Sequence, residues 1–266
     1  GYASGAQIFH SDVDQLRHTK VVPPENLEAV DAPSYFDGSS QYAVYGARYA
    51  GGYVGHLDIG SAASLGRGLK ILGKTIQLTN ILEALSVVVS TVEHSRVVGS
   101  PGGFSVRGNH SGGFAGQISG GHVQDTHAEN FAYIIGQSTA GGYVGNLLPG
   151  DVAKVLDNTS ILGGLVSADA ALTSLAENFV PSIRNSTTSG IPCGGAVRAN
   201  DPATAQLQKG CAGGYVGLNE GGQIWGNNTS RWKKENPYTG PTSECKAERI
   251  DSVYGYEHAG GFAGLM

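Results

Sequence analysis

The sequence predicts an all-β fold, a parallel β-helix (β-solenoid) of about five coils with helical insertions in coils two and four. Three observations predict it: a recurring glycine-rich hexapeptide, a recurring alternating strand, and turn glycines that join them. Ala50-Gly51-Gly52-Tyr53-Val54-Gly55 returns as Ser111-Gly112-Gly113-Phe114-Ala115-Gly116 and as Ala140-Gly141-Gly142-Tyr143-Val144-Gly145. It returns again as Ala212-Gly213-Gly214-Tyr215-Val216-Gly217 and Ala259-Gly260-Gly261-Phe262-Ala263-Gly264. Such recurrence marks one structural position met repeatedly along a stack. The starts lie 61, 29, 72 and 47 residues apart, so the shortest interval measures an undecorated coil and the longer ones carry insertions.

That shortest coil supplies a template. After the hexapeptide come the turn Gly120-Gly121, an alternating strand Val123-Gln124-Asp125-Thr126, a second strand from Phe131 to Ile135, and the closing turn at Gly136. The alternating strand has counterparts in Ile8-Phe9-His10-Ser11, Val92-Glu93-His94-Ser95, Ile183-Arg184-Asn185-Ser186 and Ile224-Trp225-Gly226-Asn227. Period-two alternation rich in β-branched residues reads as strand. Each coil therefore adds an aliphatic rung and a Ser/Thr/Asn rung to columns that run up the stack.

In coil one, residues 12–41 are polar and contain Pro23-Pro24 and Pro33, the signature of a surface loop. Tyr42 to Tyr45 and the turn Gly46 then lead into the first hexapeptide. In coil two, residues 61–90 intervene before the alternating strand, and Leu78, Ile81, Leu82, Leu85 and Val89 have the spacing of one helix face, capped at Thr79 or Asn80. Coil four repeats this over residues 151–181, with Leu162, Leu165, Leu172, Leu175 and Phe179. Two helical modules are thus expected on one edge of the solenoid. Residues 199–210 and 228–249 read as further loops, the second containing Trp232, Pro237, Tyr238 and Pro241.

Glycine at 42 of 266 residues could signal a flexible chain, but 40% of the residues are hydrophobic and the glycines sit at fixed motif positions. Seventeen basic and 22 acidic residues give a net charge of −5, and no basic run exceeds Lys233-Lys234, so a nucleic-acid partner lacks its electrostatic footprint. The apolar windows around Ile81 to Val89 are too short to span a bilayer. Gly5-Ala6-Gln7-Ile8 matches Gly221-Gly222-Gln223-Ile224, and the chain closes just after a hexapeptide, so it reads as part of a longer or polymerising stack.

The five hexapeptides, the Gly-x-x-Ile/Val strands and the closing Gly46, Gly136 and Gly255 resemble the Gly-rich GLUG-motif repeats of bacterial surface proteins, found also in stalks of adhesins and in secreted peptidases. The resemblance covers the coils and not the insertions. It implies a right-handed β-helix-like stack in a cell-surface or secreted protein.

Candidate chemistry is sparse. His10, His94, Asp125 and Asn185 occupy equivalent positions, and a row of such side chains could bind a cation; a straight row converges poorly on a metal, which favours a hydrogen-bonded ladder instead. The zinc-peptidase, hydrolase and nucleotide signatures are absent, so no catalytic residue and no cofactor is expected. Tyr53, Phe114, Tyr143, Tyr215 and Phe262 form a column that alternation sets opposite Val54, Ala115, Val144, Val216 and Ala263. Either set could line the interior; five exposed aromatics in register would promote aggregation, which favours aromatics inward. Cys193 and Cys211 bracket an insertion and suit a loop-closing disulfide, leaving Cys245 odd; three unpaired thiols is the other reading. The function expected is a structural segment that stacks end to end with other copies or neighbouring repeats. An adhesin module binding a glycan or host protein is the alternative, and a polysaccharide-active β-helix enzyme, which would need several carboxylates on one flank, ranks behind it.

Overall fold

The computed structural model describes residues 1–17, 42–60, 89–150, 179–199, 210–226 and 244–266. Among them the fold is all-β, with every strand pair parallel. The first circuit of the chain forms β1 (Tyr2–Ser4), β2 (Gln7–Phe9), β3 (Asp12–Leu16) and β4 (Val44–Gly51). The second forms β5 (Val54–Asp58), β6 (Thr91–Glu93), β7 (Arg96–Gly99) and β8 (Phe104–Gly112), and the third β9 (Ala115–Ser119), β10 (His122–Gln124) and β11 (His127–Gly141). The fourth forms β12 (Val144–Leu148), β13 (Ser182–Arg184), β14 (Thr187–Gly190), β15 (Gly195–Ala199) and β16 (Cys211–Gly213). The fifth forms β17 (Val216–Asn219), β18 (Gln223–Trp225), β19 (Lys246–Glu248), β20 (Ile250–Gly255) and β21 (His258–Gly260), and β22 (Ala263–Leu265) follows.

Three sheets result. The first runs β1-β5-β9-β12-β17-β22 and the second β2-β6-β10-β13-β18, both in chain order. The third collects β3, β4, β7, β8, β11, β14 to β16 and β19 to β21. Alternation turns one side chain in two inward. Val92, Val123 and Ile183 pair in register on the second sheet, and Leu57, Ile118 and Leu147 on the first, all 0% exposed in a single apolar core.

Each hexapeptide makes the corner between the third and first sheets. Its second glycine and its aromatic form a two-residue bend, as Gly113 and Phe114 do between β8 and β9. A Cβ on Gly113 would lie 2.1 Å from the Gly142 carbonyl oxygen, and one on Gly112 1.9 Å from that of Ala115. Only glycine lets the chain turn and the next circuit approach so closely. Because the aromatic stands on a bend and not within a strand, alternation fails there: Phe114 and Ala115 are both 0% exposed.

Two loop expectations need correction. Asp12–Leu16 is strand β3, paired with β7, and Lys246–Glu248 is strand β19, paired with β14. Both continue inward columns, Val13 beside Val97 and Ala247 beside Thr188, a signal masked by the polar residues between. Residues 18–41, 61–88, 151–178, 200–209 and 227–243 lie outside the described residues, and with them both helical insertions and most of the loops. The described ends of those insertions, residues 89–90 and 179–181, are not helical.

Candidate functional site: stacked ladders

The aromatic column of the hexapeptides is the most regular feature. Successive ring centroids from Tyr53 through Phe114, Tyr143 and Tyr215 to Phe262 lie 4.7, 5.1, 4.9 and 4.8 Å apart, with ring planes within 7°. The three central rings are fully buried, while Phe262 at one end is 39% exposed. The buried phenols are satisfied: Tyr143 hydrogen-bonds the Thr126 hydroxyl, and Tyr215 donates to the Ser186 carbonyl oxygen at 2.9 Å. Burial raises both phenol pKa values above the usual range, so neither ionises near neutrality.

Beside the rings runs the hydroxyl column expected from the alternating strand. The Ser95 and Ser186 hydroxyls donate to the carbonyls of Glu93 and Arg184 at 2.9 and 2.7 Å, and accept the backbone N–H of Ser11 and Thr126, each at 3.2 Å. Sequence reasoning gave the fifth rung to Asn227, which lies outside the described residues. Cys245 fills that rung. Its neighbour Lys246 pairs with Thr187, and its thiol donates to the Trp225 carbonyl oxygen at 3.2 Å as the serines do two residues back. Burial raises the thiol pKa. The signal was legible as a small polar residue opening the alternating run Lys246-Ala247-Glu248.

The polar row stands on the bend between the second and third sheets. His10, His94, Asp125 and Asn185 all have φ between 48° and 49°, the left-handed region that Asn, Asp and His enter more readily than most residues. Backbone geometry thus accounts for the residue types. His10 stacks on His94 at 4.9 Å with 11° between planes, and His94 Nδ1 lies 3.8 Å from Asp125 Oδ2. The row brings His10, His94 and Asp125 side by side without enclosing a point. Among the described residues no group of three or more His, Cys, Asp or Glu side chains converges as a metal site requires.

A second imidazole cluster was invisible in the sequence, because its members come from separate motifs across the hexapeptide corner. Tyr49 packs against His56 at 4.6 Å and His110 at 5.6 Å, and Tyr2 meets His56 edge-on at 5.3 Å. His110 Nδ1 lies 2.9 Å from the Thr139 hydroxyl. Burial, followed by the charges of Arg48 and His56, lowers the His110 pKa to about 4. An amide ladder continues the cluster: Asn146 donates to Gln117 Oε1 at 3.3 Å, and Gln117 Nε2 lies 3.2 Å from His56 Nε2.

The Cys193–Cys211 disulfide is not formed. None of the three cysteines is disulfide-bonded; Cys193 is exposed, Cys245 half-buried and Cys211 buried. Cys193 sits in the turn between β14 and β15, level with Phe131 of β11, whereas Cys211 pairs with Thr139. Eight residues of extended chain separate those levels by roughly 25 Å, far beyond the span of a disulfide.

Among the described residues, the first and fifth circuits are less buried than those between them. Ile8, Val13 and Val44 in the first circuit, and Ile224, Ala247 and Val253 in the fifth, are only partly buried, although their column mates Val92, Val97 and Val106 are 0% exposed. Tyr2, Phe9 and Tyr45 in the first circuit and Tyr254, Phe262 and Leu265 from the fifth onwards lie between 39% and 64% exposed. On the outer face of the second sheet, Thr91, Glu93, His122, Gln124, Ser182 and Arg184 line a shallow groove. No helix among the described residues is long and apolar enough to cross a membrane. No protein-family model matches the chain, and searches of curated proteins and of solved structures gave no significant match.

Proposed function

We propose that the chain is a right-handed parallel β-solenoid of five coils, with the insertions of coils two and four as lateral helical modules. It serves as a structural segment of an extracellular bacterial surface protein or filament and is extended by end-to-end stacking. The observation that carries this reading is the regular stack itself: every described strand pair is parallel, and the five hexapeptide rings lie 4.7 to 5.1 Å apart with planes within 7°. A parallel stack of this kind can be extended by pairing a further strand at an edge. The right hand follows from the general chirality of parallel crossovers. The repeated hexapeptides support the GLUG-like surface-protein reading. Work is done mechanically: each coil contacts its neighbours through hydrogen bonds and stacked side chains, so stiffness and stability grow with coil number. No residue has a catalytic role and no cofactor is required.

Negative-stain electron microscopy tests the reading. Continuous fibres with an axial repeat of about 24 Å, from five rungs at strand spacing, are expected; short rods of one mass would refute it. The groove of Thr91, Glu93, His122, Gln124, Ser182 and Arg184 favours a second reading, a glycan-binding adhesin face, which saturable binding on a glycan array would establish.

A further inference from the structure

The outer face of the second sheet carries two columns of polar side chains in register. Thr91, His122 and Ser182 form one and Glu93, Gln124 and Arg184 the other, on β6, β10 and β13, and Trp225 continues the second column on β18. The first six line a groove of about 250 Å³ that crosses the three strands. Its charge is polarised. The Glu93 carboxylate stands on one outer strand of the floor and the Arg184 guanidinium on the other, two strand spacings or roughly 10 Å apart, with uncharged Gln124 between them.

Fixed side chains narrow the class of ligand. Gln124 donates its amide N–H to Asp125 Oδ2 at 3.1 Å, so its amide oxygen is turned away from that carboxylate as an acceptor. His122 Nδ1 lies 2.8 Å from the hydroxyl of Ser182, a residue only 5% exposed, which holds the imidazole in one orientation. The Arg184 guanidinium carbon lies 4.7 Å from the centre of the Trp225 ring. A guanidinium stacked in this way presents its planar fork edge-on, the geometry that takes a carboxylate through two parallel N–H···O bonds. Rows of amide, imidazole and hydroxyl groups match sugar hydroxyls, and the indole beside them suits the apolar face of a sugar ring. β10 is flanked by β6 and β13 in the sheet, so this floor offers a peptide no strand edge to extend.

We propose that the groove takes an acidic oligosaccharide lengthwise across the strands, with the carboxylate of a uronic-acid-type sugar on Arg184 and a neutral sugar over Glu93. The inference rests on the glycan-binding reading of this face and adds the charge of the sugar and its place along the floor. One sugar ring is about as long as one strand spacing, ~4.8 Å, so a trisaccharide covers the floor. A second carboxylate set over Glu93 meets like charge, so a chain acidic at every unit is disfavoured against one with a single acid at the Arg184 side.

Isothermal titration calorimetry of the full chain tests this with a trisaccharide of one glucuronate followed by two neutral hexoses, its carboxyl-reduced counterpart, and triglucuronate. The first is expected to bind saturably, and carboxyl reduction to weaken binding by roughly tenfold or more, as the loss of bonds to a charged group does. Arg184→Gln should weaken the acidic trisaccharide by the same factor and leave the reduced one unchanged, and Arg184→Lys, which keeps the charge and loses the fork, should fall between. Glu93→Gln should strengthen triglucuronate and not the single-acid trisaccharide; an unchanged ratio overturns the placing of the neutral sugar. The reduced-sugar comparison needs no variant, so it decides the matter even where Arg184→Gln fails to fold. Equal affinity for the acidic and reduced forms overturns the inference and leaves a glycan-binding face standing. An aspartate-rich peptide that binds as tightly as the acidic trisaccharide overturns sugar as the ligand, and no glycan bound here or on the array sinks both readings.

Discussion

Replacing Phe114 with alanine tests whether the ring column carries the stack. The ring is fully buried and lies 4.7 Å from Tyr53 and 5.1 Å from Tyr143. Deleting a buried Phe side chain costs about 3–5 kcal/mol, and each lost stacked pair about 0.5–1.5 kcal/mol. The expected loss is therefore roughly 4–8 kcal/mol, a large part of an ordinary domain's stability. Phe262 is 39% exposed and has one stacked neighbour, Tyr215 at 4.8 Å, so Phe262→Ala should cost roughly 2–3 kcal/mol. Urea unfolding read by circular dichroism and tyrosine fluorescence gives both values, with Phe114→Leu as a milder variant if Phe114→Ala fails to fold. Hydrogen exchange localises the damage. The Val54 N–H donates to the Phe114 carbonyl and the Ala115 N–H to that of Tyr143, so these amides should lose protection before those of circuit five. Equal losses at the two sites, or a loss below about 2 kcal/mol at Phe114, would refute the reasoning.

Acid should weaken the fold through His110. Its pKa is lowered to about 4 by burial, against about 6.5 in an unfolded chain, so between these values the unfolded state binds the proton and the folded state does not. Stability is full above pH 6.5 and falls as the pH drops towards 4, by up to ~3 kcal/mol; His110→Gln should flatten this part of the urea-midpoint profile, and an unchanged slope would exclude His110 as its source. Gly113→Ala should prevent folding or shift the circuit, since its Cβ would lie 2.1 Å from a backbone oxygen, whereas Gly102→Ala, with nothing within 4 Å, should leave the melting temperature within a few degrees. Thiol titration should modify exposed Cys193 at once, half-buried Cys245 more slowly and buried Cys211 only on unfolding, and Cys245→Ser, which retains the donor to Trp225, should be tolerated far better than Cys245→Val.

What was legible in the sequence followed from steric necessity. Gly112 and Gly113 admit no Cβ, so every circuit repeats them, and the repeat declares itself. His10, His94, Asp125 and Asn185 were recognisable as one row because a single left-handed backbone position selects such residues. Legibility ended where the chain leaves a rung and returns. Cys245 re-enters the hydroxyl column from a distant segment, so local spacing led to Asn227 instead. Tyr49, His56 and His110 meet across a bend between motifs, and no single window contains them. The inward column through Val13 was obscured by Asp12 and Asp14, whose carboxylates face Arg96 at 3.2 and 3.8 Å.

The tight turn of the third circuit sets a rule for grafting. Circuits two and four leave the first sheet for long excursions before rejoining the second, whereas circuit three crosses in two residues, Gly120 and Gly121. Gly120 has φ 74°, and a Cβ there would lie 2.7 Å from the Cα of Gly150 and from Ile59, both at departure points of the flanking excursions. Rungs are about 4.8 Å apart, while a helix is about 10 Å across, so bulky elements can leave this edge only at every second rung. An epitope or enzyme grafted between Gly120 and Gly121 would have no lateral room, but the same cargo exchanged for residues 61–88 or 151–178 would inherit a vacant rung as its spacer. As a display scaffold the protein therefore accepts cargo at alternate positions, with a lateral pitch of about 10 Å.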